Sequence, residues 1–188
     1  MGKQFSSIDE QLSAFIEAQH VFFVATAPSG SSGHVNCSPK GLDSLRVLDE
    51  RRVAYVDFVG SGVETIAHVR ENGRIVLMFC AFEGPPKIVR LHGRGTVHEP
   101  GHDGFSSLVA RFEHHLDLAV RAVVEVEVTR IADSCGYAVP LYDYQGPRHQ
   151  LPKWTRKKGA EGIEDYKRNK NSVSIDGLPG LARARASS

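Results

Sequence analysis

The chain has 188 residues, of which 41% are hydrophobic and 24% charged, with a net charge of +1. Those values suit a single globular domain with one sizeable core and exclude a disordered chain. The longest apolar runs, such as "IVLMFCAF" at 75–82, are far too short to cross a bilayer.

Ser7 and Glu10 have the S-x-x-E spacing of a capping box, and Ile8, Leu12, Phe15 and Ile16 share a helical face behind them. A first helix is predicted over 7–19. "VFFVATA" (21–27) reads as a buried strand, "PSGSSG" (28–33) as a turn, and "HVNCSPK" as the partner strand of a hairpin. A loop follows, then a third strand at "RVAYVDF" (52–58). "GSG" at 60–62 turns the chain into a short amphipathic helix, which Asn72-Gly73 terminates.

"RIVLMFCAF" (74–82) is a nearly continuous apolar strand. "KIVRLHGRGTVHE" (87–99) is a long alternating one, with Gly93 and Gly95 as bend points. A helix around 103–114 precedes "RAVVEVEVTRIA" (121–132), whose alternating valine and glutamate predict one dry and one charged face. At least five strands with connections as short as 28–33 and 83–86 exclude a doubly wound sheet and favour an antiparallel β-barrel with a few flanking helices. Residues 1–150 form that domain. Residues 151–188 read as a helix near 152–170, an extended tail packing on the barrel or on a partner, and a frayed "LARARASS".

Arg148 to Ser188 carries ten Lys/Arg against four Asp/Glu, while the remainder carries thirteen against eighteen. A basic end of this kind suits docking on an acidic body or a second subunit. It lacks the aromatic interleaving of a nucleic-acid footprint, and neither nucleic acid nor membrane is expected as a partner. Three cysteines without close spacing, and an N-terminus without the layout of a signal peptide, point to a reducing cytoplasm. Cys37 and Cys135 read as small buried residues rather than redox thiols. Nine scattered histidines show no chelating spacing, so no metal site is expected.

The remaining chemistry is anion binding at strand ends. Period two puts Asn36, Ser38 and Lys40 on one strand face, offering amide and hydroxyl donors and a point charge. In "GSGVET", Gly60 and Gly62 permit close approach and Ser61 and Thr65 offer hydroxyls at a helix N-terminus, either for a phosphate or, with Ser61, as a plain cap. Arg90, with Ile88 and His92 on its face, needs solvent or an anionic partner, either a ligand or a glutamate of a neighbouring strand.

The series "FFVATAPSGSSGHVNCSPKG", "RVAYVDFVGSGVETIAHVRENGRIVLMFCAF" and "KIVRLHGRGTV" resembles the pyridoxamine 5′-phosphate oxidase-like family of FMN-binding split β-barrels, over roughly residues 7 to 132. "SCGYAVP" and "SIDGLP" also look like a bacterial subgroup. The resemblance implies a homodimer with two FMN molecules in clefts at the interface, and an oxidoreductase acting on a small molecule. Lys40 falls at the position of the oxidase's strand-end lysine. The oxidase's Ser-Arg-Lys helix start is replaced by Val63, Glu64 and Thr65, and its C-terminal substrate motif is only loosely echoed by Trp154 with Lys153 and Arg156. Strict pyridoxamine phosphate oxidation is therefore not expected. On this reading Asn36 and Ser38 address the ring edge or ribityl chain, and Lys40 the phosphate. Ser134, Tyr137 and Trp154 cover the ring from the partner subunit, with Trp154 as core filler the competing reading. The cofactor carries the redox step and no catalytic side chain is required. The alternative is a non-catalytic carrier or sensor of flavin, deazaflavin or haem.

Overall fold

The computed structural model describes residues 2–115 and 119–182, the side chains of 113–115 excepted. Among the described residues, eight strands form one antiparallel sheet: β1 (Gln4–Phe5), β2 (Phe22–Thr26), β3 (Asn36–Lys40), β4 (Leu45–Asp49), β5 (Arg52–Phe58), β6 (Arg74–Cys80), β7 (Ile88–His98) and β8 (Val120–Ser134). Their order is β3-β2-β6-β7-β8-β5-β4, with β1 added on β8. The sheet curls but does not close, which is the split barrel. Its inner face holds the core, including Leu12, Ile16, Phe22, Val24, Tyr55, Leu77, Phe79, Leu91, Val124 and Ile131.

Helix α1 (Glu10–Glu17) seals one end of the barrel with Leu12 and Ile16. Its cap is Asp9, whose carboxylate accepts from the Leu12 amide at 2.8 Å, rather than Ser7. The start is fixed from outside the helix, because the Ile8 amide is already committed to the Glu50 carbonyl. Helix α2 (Glu64–Asn72) ends at Gly73, whose left-handed φ of 73° is the anticipated stop. The bend at Gly93 is a β-bulge between His92 and Gly93.

Strand β8 keeps its expected two-faced pattern over Val124–Val128 and departs from it only at its start. Ala122, Val123 and Val124 are all buried, because helix α3 (Phe105–Val109) and the following 3-10 segment (Ala110–His115) cover the outer side with Phe105, Leu108 and Phe112. Helix α4 (Gln150–Lys170) breaks at Gly159. Trp154 and Tyr166 meet edge-on at 5.1 Å and pack with Val59, Ala119 and Ile163.

Beyond α4 the chain folds back over α2. Leu181, expected to fray, is buried against Val63, Ile66 and Ala122. Residues 183–188 lie outside the described residues. Cys37 and Cys135 are exposed, against the expectation that both are buried, and only Cys80 is interior. No helix among the described residues is long and apolar enough to cross a membrane.

Candidate functional site

Lys40 ends β3 at one edge of the split sheet and reaches across the opening to β5. Its Nζ donates to Asp57 Oδ1 at 2.6 Å, and Arg121 Nε of β8 donates to Asp57 Oδ2 at 2.8 Å. Asp57 is fully buried, Arg121 is 5% exposed and Lys40 retains 18% side-chain exposure. Burial alone would raise the Asp57 carboxyl, but Arg121 and Lys40 overcome it and hold the pKa down to about 2. Two cations on one carboxylate leave an excess positive charge. Lys40 is therefore not a free point charge, as the strand pattern had suggested, but the exposed member of a triad that remains attractive to an anion. Arg121 was not singled out from sequence. A charged residue at the head of "RAVVEV" and an aspartate inside "VAYVDF" were the available signals, since charges on apolar strands need partners.

Asn36, Ser38 and Lys40 do share one face, each half-buried, between the exposed Cys37 and Pro39. Their hydrogens are nevertheless largely spent. Asn36 Nδ2 donates to Thr65 Oγ1 at 2.9 Å and Thr26 Oγ1 at 3.3 Å, and Ser38 Oγ donates to Asn36 Oδ1 at 3.1 Å. Thr26 Oγ1, having accepted from Asn36, lies 2.9 Å from Nδ1 of the buried His68. Burial lowers the His68 pKa against the opposing pull of Asp176, Glu64 and Glu71, so the ring is neutral at pH 7. What this face retains is acceptor capacity on Asn36 Oδ1 and Ser38 Oγ, the reverse of the donors expected.

The start of α2 also differs from expectation. Val63 occupies the cap position with no side-chain cap, so Ser61 is not a cap. Thr65 is buried, and its hydroxyl accepts from Asn36. Gly60 contributes its carbonyl, which accepts from Asn171 Nδ2 at 2.9 Å and from Arg121. The Glu64 carboxylate folds back over Gly62, where an added Cβ would meet Oε2 at 2.3 Å. A carboxylate thus already supplies the negative charge that this helix terminus favours, and the phosphate seat expected from "GSGVET" does not fit there. Ser61 instead lines an open cavity of about 310 Å³ with His34, Val35, Asn36, Glu64 and Ile175.

The other expected residues stand elsewhere. Directly paired strand positions share a face. Phe22 pairs with both Lys40 and Phe79, whereas Arg90 pairs with Met78 and Ala132, one residue out of phase. Arg90 therefore lies on the outer face, opposite Asn36, Ser38 and Lys40. There it donates to Ser134 Oγ at 3.0 Å rather than to a glutamate. His92 shares that face. Burial lowers its pKa, with help from Arg130 and Arg90. Tyr137 is 82% exposed, and Trp154 packs within its own chain as an anchor for α4.

The likenesses to known proteins follow this framework. The family description "pyridoxamine 5′-phosphate oxidase" matches residues 8–135. A relative from Aspergillus flavus, the pyridoxamine 5′-phosphate oxidase family protein ustO, is 38% identical over 197 residues, covering 96% of this chain and 78% of the relative. That match runs past the barrel and through the C-terminal segment. Among solved structures, HupZ of Group A Streptococcus superposes with a TM-score of 0.53 at 22% identity, covering 66% of this chain and 91% of its own. A FAD-binding protein from Mesorhizobium loti does so with a TM-score of 0.50 at 16% identity, covering 71% and 95%. At such identities the structures speak for the fold alone. With the barrel matched along most of its length and the tail included in a close relative, the chain belongs to the pyridoxamine 5′-phosphate oxidase family.

Proposed function

We propose that the protein is an FMN-dependent oxidoreductase acting on a small molecule, and that it works as a homodimer in a reducing, cytoplasmic compartment. Family membership supports flavin as the cofactor class. The observation that carries the site is the strand register. Lys40 and Arg90, the two cations expected to meet a ligand from β3 and β7, lie on opposite faces of one sheet. One ligand meets both only where two copies of the chain come together.

The residues fit FMN unevenly. The excess positive charge at Lys40, Asp57 and Arg121 suits the phosphate. Asn36 Oδ1 and Ser38 Oγ, left as acceptors, suit an N–H on the edge of a flat ring. Glu64 argues against phosphate at the start of α2. In this reading Lys40 and Arg121 hold the anionic end, Asn36 and Ser38 orient the ring edge, and Ser61 and Ile175 shape the neighbouring cavity. Arg90, Ser134 and Tyr137 come from the second copy. Bound flavin supplies hydride transfer, and the chain's own part is binding and orientation.

The test is direct. Purified protein should be yellow or take up added FMN, and Lys40→Ala should weaken FMN binding about tenfold or more, as for loss of a hydrogen bond to a charged group. Arg121 stays on Asp57, so Lys40→Ala should still fold. A colourless protein that ignores FMN refutes the proposal. FMN bound but inert towards nicotinamide cofactors, oxygen and candidate acceptors identifies a carrier instead.

A further inference from the structure

The segment after α4 is held in two different ways along its length. At its base, the Asn171 amide bonds to the Lys167 carbonyl, Leu181 donates back to the Asn171 carbonyl at 2.8 Å, and Gly180 donates to Ser172 at 2.8 Å. Asn171 is fully buried and Leu181 is 3% exposed. Gly180 has no room for a side chain, since a Cβ there would stand 2.2 Å from the Asn171 carbonyl oxygen. The Ala182 amide is received by the buried Glu99, which Arg70 also contacts. The base is thus clamped by the buried Asn171, Glu99 and Leu181.

The tip is held differently. Ser174 and Leu178 close a small loop with bonds in both directions, and Gly177 turns it with φ 76°. The loop's tip touches the barrel through few polar contacts. Asp176 receives the His34 backbone amide at 2.8 Å and His34 Nδ1 at 2.6 Å, and the Ile175 amide donates to Glu64 at 3.3 Å. Ile175 is 70% exposed, although its side chain lines the cavity shared with Asn36 and Ser61. An aliphatic side chain spread open at the mouth of a cavity is not there for the core.

We propose that residues 172–180 form a hinged strap whose tip is latched to the β2–β3 hairpin by Asp176 on His34, making one wall of the cavity beside Asn36 movable. The strap swings on its clamped base while α2 and the barrel stay fixed. For its link to cofactor binding this rests on the flavin reading. The latch itself does not.

The test is hydrogen exchange followed by mass spectrometry on the full chain without ligand, comparing wild type with Asp176→Asn. The variant keeps the side chain's shape and removes its charge. Exchange across Ile175–Leu178 should quicken about tenfold or more, as local opening becomes cheaper, while α2 and the Leu181 amide keep their rates. Unchanged exchange at the tip overturns the latch, and equal acceleration at Leu181 overturns the hinge. FMN dissociation should also quicken several-fold in the variant, and an unchanged rate overturns the strap's role in the site. If neither protein binds FMN, the flavin reading fails, and the exchange rates alone decide the strap.

Discussion

Asp57 is the residue on which the open edge of the barrel depends, and Asp57→Asn isolates its charge. The substitution preserves shape but leaves Arg121, 5% exposed, and Lys40 without a counter-ion. Breaking a buried pair from one side costs about 3–5 kcal/mol, a large share of a typical stability of roughly 5–15 kcal/mol. The melting temperature should fall on the order of 10 °C. The pH dependence gives an independent check. Asp57 is lowered from 3.8 to about 2. Such a depressed carboxyl contributes stability above its unfolded value and loses it as pH falls through the folded one. The shift is worth roughly 2 kcal/mol, at about 1.4 kcal/mol per pH unit. Urea denaturation of both proteins between pH 7 and pH 2 should show a full offset above about pH 4 that narrows below it. An offset of zero, or one that stays constant down to pH 2, refutes the assignment of Asp57 as the buried counter-ion.

Two further substitutions test the packing around the site. The Tyr55 hydroxyl is buried without a protein partner, and burial, with Asp57 nearby, pushes its pKa well above normal. Tyr55→Phe should therefore be neutral or stabilising by about 1 kcal/mol in chemical denaturation, since an unpaired buried hydroxyl costs that order. Gly93 sits at the bulge with the Glu127 carbonyl 2.2 Å from where a Cβ would stand. Because backbone cannot step aside, Gly93→Ala should lose about 1–3 kcal/mol in the same assay.

How far these features were legible depends on where each residue's partners come from. Strands β2, β5, β6, β7 and β8 are marked by apolar runs or alternation, and turn chemistry fixed their limits to within a few residues. Strand β1 is two residues long, and β4 carries Arg46 in a short "LRVLD". Both exist because a neighbouring strand offers hydrogen bonds, which no local pattern reports. Period two correctly put Asn36, Ser38 and Lys40 on one face. It said nothing of Thr26 and Thr65, drawn from β2 and α2, which consume the Asn36 protons and invert what the face offers, or of His68 behind Thr26. Glycines and hydroxyls at 60–65 looked like a phosphate cradle. Only the fold reveals that Glu64 turns back into that space.

The two-faced register makes a prediction that a site confined to one copy does not. If Lys40 of one copy and Arg90 of another address the same cofactor, Lys40→Ala and Arg90→Ala each damage both sites of a homodimer. Arg90 donates to a serine rather than a buried carboxylate, so its removal leaves no unpaired charge behind and the fold should persist. In a mixed dimer, however, one site receives both mutant side chains and the other receives neither. Unfolding and refolding the two variants together at equal concentration should restore wild-type FMN affinity to roughly a quarter of the sites, since half of randomly formed dimers are mixed and each holds one intact site. Fluorescence titration reads that fraction as a distinct tight phase. A single chain that supplied both cations would give no tight phase at any mixing ratio. That result would assign both cations to one chain's site and refute the shared-site reading, whereas wild-type affinity in the Arg90→Ala dimer alone would return Arg90 to a purely structural role.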